Sequence, residues 1–260
     1  KDSSVQVYNQ PSTRTYHLEL NKARLQDKKV RQAILHAINK QELTQDFLKG
    51  HVTPADGAFL DSSIYSSGTF ANKQYQPEMA TQLLAEAGYQ TKNADGILVN
   101  AQNEPLQIVL KTYKRLANEK IATALQQQFK KVGIDLKIDI QEKVDGLNQL
   151  DYDIALASAL TLPTGDPHYF LAATLSSDGA LNYVKNVDSW LDEKISTLGH
   201  EVDSDKIRSE VAEIQDYARE EAIVDYIGFV NLHGAMNNYI HHFELSPSDF
   251  YHITNKLVKD

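Results

Sequence analysis

Cysteine is missing from all 260 residues. That one absence excludes a disulfide scaffold, a thiolate zinc site and a cysteine nucleophile. The chain also lacks any apolar run near the roughly 20 residues needed to span a bilayer. It has no basic excess: 35 acidic residues stand against 26 basic ones, a formal net charge of -9. A nucleic-acid binder needs a positive footprint, so no nucleic-acid partner is expected, and the mild acidity reads as solubility. GxSxG, P-loop, GxGxxG and HExxH patterns are all missing, so nothing calls for an enzyme. No internal repeat, low-complexity segment or secretory leader is read. The abrupt start at KDSSVQVYNQ suits a mature or truncated chain.

What is present alternates between strand and helix patterns. VQVY (5–8) and TYHLEL (15–20) read as two short strands separated by the turn residues Asn9, Pro11 and Ser12. DKKVRQAILHAI (27–38) reads as a helix capped by Asp27, with Val30, Ala33, Ile34, Ala37 and Ile38 on one face. QELTQDFLKG reads as a second helix stopped by Gly50. Residues 51–76 have no sustained period. They read as an ordered surface loop, since Phe59, Leu60, Ile64, Tyr65 and Phe70 require burial. Pro77 and Gly88 bracket the next helix. A strand (105–113), an amphipathic helix (118–134) and a strand (135–142) then form a βαβ unit, so part of the sheet is expected to be parallel. DYDIALAS (151–158) is a further strand, two helices follow, and IVDYIGFVNLHG (223–234) reads as a buried strand.

The stretch LTLPTGDPHYFL (160–171) is the first candidate site. Ligands of open α/β sheets sit beyond the carboxyl ends of strands, and this loop holds that position if 153–158 is parallel. Pro163 and Pro167 stiffen the loop, and Gly165 permits a backbone conformation other residues avoid. Asp166 before Pro167 is better read as a helix cap than as a ligand group, and His168 is open to either face. His233, His241, His242 and His252 fall close together, yet adjacent His241 and His242 point to opposite faces of a strand. Taken singly, each histidine is better read as a surface or hydrogen-bonded group. One open-site ligand among His168, His233 and His241 stays as the alternative. Tyr113, Tyr169, Tyr183, Tyr226 and Tyr251 can line an apolar cleft, although half-buried packing explains most of them.

The phrases DKKVRQAILHAINKQEL, YQPEMATQLLAEAGY, NADGILVNAQNEPLQIVLKTY, EKIATALQQQFKKVGIDLKI, DYDIALASALTLPTGDPHYFL and GALNYVKNVDSWLDEKI, in this order, resemble the extracellular solute-binding proteins of family 5. These are the oligopeptide, dipeptide and nickel receptors of ABC importers. The resemblance implies an α/β fold: the C-terminal lobe of a two-lobed, periplasmic-binding-protein-like architecture, a mixed sheet flanked by helices. Such receptors run to about twice this length. The chain is therefore expected to be their C-terminal half, with the N-terminal lobe of the same protein missing. Residues 1–22 would be hinge strands and first-lobe remnant, 23–225 the second lobe, and 226–260 a return segment toward the hinge.

The implied mechanism is closure of two lobes around a ligand and docking on a membrane permease, with no covalent chemistry. The expected location is extracellular or periplasmic, as a membrane-anchored lipoprotein or a free receptor. Thr161, Pro163, Thr164, Gly165, Asp166, His168, Tyr169 and Tyr183 are the implied ligand-binding residues of the cleft loop and wall. A rigid loop loses less entropy when it grips cargo. Dipeptide-type receptors place an aspartate in this loop, where Pro163 stands here. PTGDPHYFL and the tail phrase SPSDFYHIT look more like the nickel-receptor branch, which binds the metal as a small chelate with few protein ligands. His233 is then the leading metal contact, followed by His168 and His241. Nickel would be transported ligand; no resident cofactor is expected. The alternatives are an oligopeptide or dipeptide receptor and, from another class, a secreted hydrolase or a non-transport sensor.

Overall fold

The first strand pattern shows how the chain builds its centre. The computed structural model describes residues 4–68, 70–248, 250 and 253–259; Tyr251 and His252 lie outside the described residues. The two expected short strands are one strand, β1 (Val5–Leu20). The residues taken for a turn form an irregularity instead. β1 advances four residues, from Pro11 to Thr15, while its partner advances two, from Asn231 to Phe229. A bulge accommodates Pro11, which has no N–H for the ladder, and bends the strand without ending it.

The remaining elements follow in order: α1 (Lys28–His36), α2 (Lys40–Glu42), which runs into a π-helical turn (Leu43–Phe47), and β2 (Val52–Pro54). Next come α3 (Pro77–Glu86), β3 (Thr91–Lys92), β4 (Leu98–Val99), β5 (Gln107–Tyr113) and α4 (Asn118–Lys131). β6 (Asp135–Gln141), a 3-10 turn (Val144–Asn148), β7 (Ile154–Leu160), α5 (Pro167–Leu175), α6 (Ser189–Leu198) and α7 (Ser204–Glu220) continue the chain. β8 (Val224–Asn237), β9 (Ile240–His241) and β10 (Val258–Lys259) complete it.

Six strands form one mixed sheet in the order β2-β8-β1-β7-β5-β6. β5 is parallel to both β6 and β7, as the βαβ pattern requires, whereas β1 is antiparallel to β7 and β8. Helices cover both faces. On one face, Leu18, Leu20, Ile108, Leu110, Ile154 and Leu156 pack under α1, α3 and α4. On the other, α5, α6 and α7 cover Val224, Tyr226 and Phe229, and a smaller cluster gathers Tyr113, Tyr152, Ala155 and Ala157. Alternation along β1 explains the split: Leu18 and Leu20 face one layer, and His17 and Glu19 face the other.

Helix ends follow their expected chemistry. Asp27 accepts the Lys29 N–H at the start of α1. Pro77 opens α3, and α4 ends before Gly133, whose φ of +89° and contact with Leu98 leave no room for a side chain. The 51–76 segment buries Phe59 and Leu60 as expected, leaves Tyr65 and Phe70 half-buried, and exposes Ile64. It also holds the edge strand β2, too short to show a period in the sequence. Leu18, Leu20, Tyr226 and Ile227, outside the 23–225 span expected for the second lobe, are core residues of the same sheet.

Candidate functional site

Because β5, β6 and β7 run parallel, their carboxyl ends at Tyr113, Gln141 and Leu160 share one edge of the sheet. The loop 161–166 leaves that edge, and Arg14 stands opposite Leu160 on β1. Thr161 is fully buried; its N–H and its hydroxyl both donate to the Thr13 carbonyl, at 2.9 and 3.1 Å. It ties the loop to the bulge of β1 and has no hydroxyl proton left for a ligand. Pro163 is half-buried, while Thr164, Gly165 and Asp166 are exposed at the rim. Gly165 takes a φ of +85° with open space around it. Asp166 caps α5 by accepting the His168 N–H at 2.9 Å, and Pro167 occupies the first turn.

His168 and His233 are not brought to one point by their recorded contacts. The His168 ring lies over Gly199 at the end of α6, close enough that a Cβ there would sit 2.8 Å from its Nε2. It lines a groove of about 440 Å³ between α5 and α6 with Ser177 and Asp192. Ser177 donates its hydroxyl to Asp192 at 2.6 Å, which straps the groove and sets up no nucleophile–base pair with the imidazole. His241 sits in the β9–β10 ribbon, paired with Val258.

His233 has a partner that the sequence did not reveal. Its Nε2 lies 3.0 Å from Nδ1 of His51, with the rings edge to face at 5.0 Å between centroids. Both imidazoles are exposed. His51 precedes β2, and its carbonyl accepts the Asn231 N–H, so pairing of β2 with β8 sets the two rings side by side. Asn231 reinforces this corner by donating to the Gly50 carbonyl at 2.8 Å and accepting the Thr53 hydroxyl at 2.7 Å. Among the described residues, no group of three or more His, Asp or Glu side chains is placed to hold a metal ion.

The tyrosines divide. Tyr169 is 53% exposed on α5. Tyr113 and Tyr226 are buried, in line with the packing reading rather than the cleft one; Tyr226 packs against Phe170 beneath α5. Tyr183 is half-buried against the cluster of Tyr113 and Tyr152, and burial pushes its hydroxyl well above the usual tyrosine range, with Tyr113 adding to the effect and Arg115 opposing it. A further cavity, about 500 Å³, lies elsewhere, among His36, Asp56, Lys73 and Arg219 beside α1 and α7.

A family model described as Bacterial extracellular solute-binding proteins, family 5 Middle, matches residues 1–182. The chain belongs to that family. It is a family of solute-binding proteins and not of enzymes. Among its relatives, the nickel-binding protein NikA of Staphylococcus aureus (strain NCTC 8325) is 29% identical over 86% of this chain and 44% of its own length. The oligopeptide-binding protein AppA of Bacillus subtilis (strain 168) is 27% identical over 87% of this chain and 43% of its own. The crystal structure of a nickel ABC transporter protein from Bacillus halodurans superimposes with a TM-score of 0.85 at 28% identity, covering 98% of this chain and 54% of that one. The chain thus spans about half the length of the relatives it matches. The mixed sheet flanked by helices is the fold they share.

Proposed function

We propose that this chain is the cargo-gripping C-terminal lobe of an ABC-importer receptor and that its cargo is a nickel chelate. The hinge would run through β1 and β8: their inner halves belong to the sheet, and their outer halves lead toward an N-terminal lobe that completes the cleft. In this reading the receptor works outside the cytoplasmic membrane, lipid-anchored or free in a periplasm, and hands its cargo to a permease. No resident cofactor is needed.

The observation that carries nickel over peptide is the His51–His233 pair. Metal-bound imidazole nitrogens lie about 2.1 Å from the ion, so two of them at right angles are ~3 Å apart. The spacing in this chain is 3.0 Å. A divalent ion would take the place of the proton the two rings share, with its other positions left to a small chelator. His233 is then the principal metal contact, and His51 joins it. His168, spent on the α5–α6 contact, and His241, in the β9–β10 ribbon, stay weaker candidates for metal. Pro163, Thr164, Gly165 and Tyr169 would shape the cleft rim, and Tyr183 its floor. Thr161 and Asp166 act by fixing the loop.

Calorimetric titration of this chain with nickel(II) plus L-histidine, and separately with a peptide library, tests the proposal. Saturable heat from the nickel mixture that disappears in His233→Ala is expected. Heat from peptides alone would replace the metal reading with the peptide-receptor one, which the AppA relative favours.

A further inference from the structure

The turn that carries Tyr183, a proposed cargo contact, is held by a carboxyl group lying inside the protein. The turn between α5 and α6 carries Tyr183 and has no regular structure of its own; Lys185 within it adopts a left-handed φ of 52°. Such a turn keeps its shape only if its surroundings impose it. Glu19 of β1, 2% exposed, accepts the Tyr183 N–H at 2.7 Å and the Val184 N–H at 3.4 Å through Oε2. Its Oε1 lies 3.2 Å from Nε2 of the fully buried His17. The Tyr183 carbonyl is gripped from the other side by the Tyr152 hydroxyl, at 2.8 Å. Asn186 closes the turn onto the end of β1 by donating to the Leu20 carbonyl at 2.8 Å.

We infer that Glu19 is a positioning residue for Tyr183, the proposed floor of the cleft, acting through the main chain of the 182–186 turn, with His17 fixing the carboxyl group from behind. The buried carboxylate tolerates its site because three N–H donors converge on it, two from the turn and one from the imidazole. The groups facing it are His17 on its own strand, Tyr152 ahead of β7, Tyr183 in the turn and Tyr226 on β8. None of them is a lysine or arginine, so the compensation comes from His17, through its hydrogen bond and its charge, and from the two turn amides. The sequence gives no hint of this, since Glu19 sits in an alternating strand where its parity reads as an ordinary face.

The cargo role of Tyr183 rests on the receptor reading; the clamp itself does not, and its test needs no ligand. Amide hydrogen exchange resolved at Tyr183 and Val184 is measured in the wild-type chain, Glu19→Ala, Glu19→Gln and Tyr152→Phe. Exchange at both amides is expected to rise about tenfold or more in Glu19→Ala, while the amides of β5 and β7 keep their protection. Glu19→Gln keeps an oxygen for the Tyr183 N–H and should restore most of the loss. Should Glu19→Ala not fold, Tyr152→Phe serves instead: it removes the opposite clamp and must loosen the same two amides. Unchanged exchange at Tyr183 and Val184 in the folded variants, or loosening spread evenly over the sheet, would overturn the assignment. Nickel–histidine titration of Glu19→Ala and Glu19→Gln then separates the two ideas: a clamp confirmed by exchange with unaltered binding would refute only the cargo role of Tyr183.

Discussion

The inner and outer halves of the β1–β8 pair share one hydrogen-bond ladder and little else. In the inner half, Leu18, Leu20, Tyr226 and Ile227 are covered by helices on both faces of the sheet. In the outer half, Val7 is 76% exposed, and alternate residues of β8 from His233 onward face solvent. A backbone ladder adds little net stability by itself; burial of apolar area adds most. The inner half is therefore scaffold, and the outer half is free to present side chains. The bulge from Pro11 to Thr15 marks the boundary, and three things meet there: the Thr161 anchor of the rim loop, the Pro247 carbonyl bonded to the Thr13 N–H, and, just beyond on β8, the histidine pair. An irregular stretch of strand is where packing gives way to exposed polar side chains.

The largest effect that would break this contrast is in the inner core. Phe170, fully buried and stacked edge to face on His17, is expected to cost about 3–5 kcal/mol of urea-determined stability when changed to Ala. Val7→Ala in the outer half should stay within about 0.5 kcal/mol. Equal costs would remove the distinction between scaffold and presenting surface. His233→Ala should weaken nickel–histidine binding by about tenfold or more, ~1.4 kcal/mol, with no change in the urea midpoint. His51→Ala should do the same to a lesser degree. Loss of stability without loss of binding would move these residues from presentation to scaffold.

Smaller effects sharpen the boundary. Asp166→Ala removes the cap of α5 and should cost about 1 kcal/mol, leaving the Thr161 anchor in place. Glu19 gives a pH signature. Burial, opposed by the His17 bond and the two turn amides, holds its carboxyl above the usual glutamate range. The folded state therefore binds this proton more tightly than the unfolded chain does. The stabilisation this provides is fully present below the ordinary value near 4.5 and is lost as pH rises through the elevated folded value. The difference in melting temperature between wild type and Glu19→Gln should accordingly grow in favour of the variant from acid toward neutral pH. A difference independent of pH would mean that Glu19 keeps one protonation state throughout.

Much of the architecture was readable from the residues. The strand–helix–strand pattern from 105 to 142 became β5, α4 and β6 with parallel pairing, because a period of two and a period of 3.6 are local properties. Asp27, Pro77 and Asp166 marked their helix starts through equally local chemistry. Pro11 and Ser12 misled because a proline in a bulge and a proline in a turn look alike without the partner strand. The candidate site was legible only in part. His233 was singled out, but its partner is 182 residues away in sequence, in a stretch with no period. The turn of His168 toward Gly199 depends on how α5 packs on α6, which no pattern within either helix encodes.

On the proposed function, the corner where β2 meets the outer half of β8 takes hold of a metal. Diffraction from crystals grown with nickel(II) and L-histidine, recorded on both sides of the nickel absorption edge, tests it most directly. An anomalous peak is expected within bonding distance of His233 Nε2 and His51 Nδ1, lost in His233→Ala. A peak elsewhere on the molecule, or a saturated crystal with none at this corner, would contradict it.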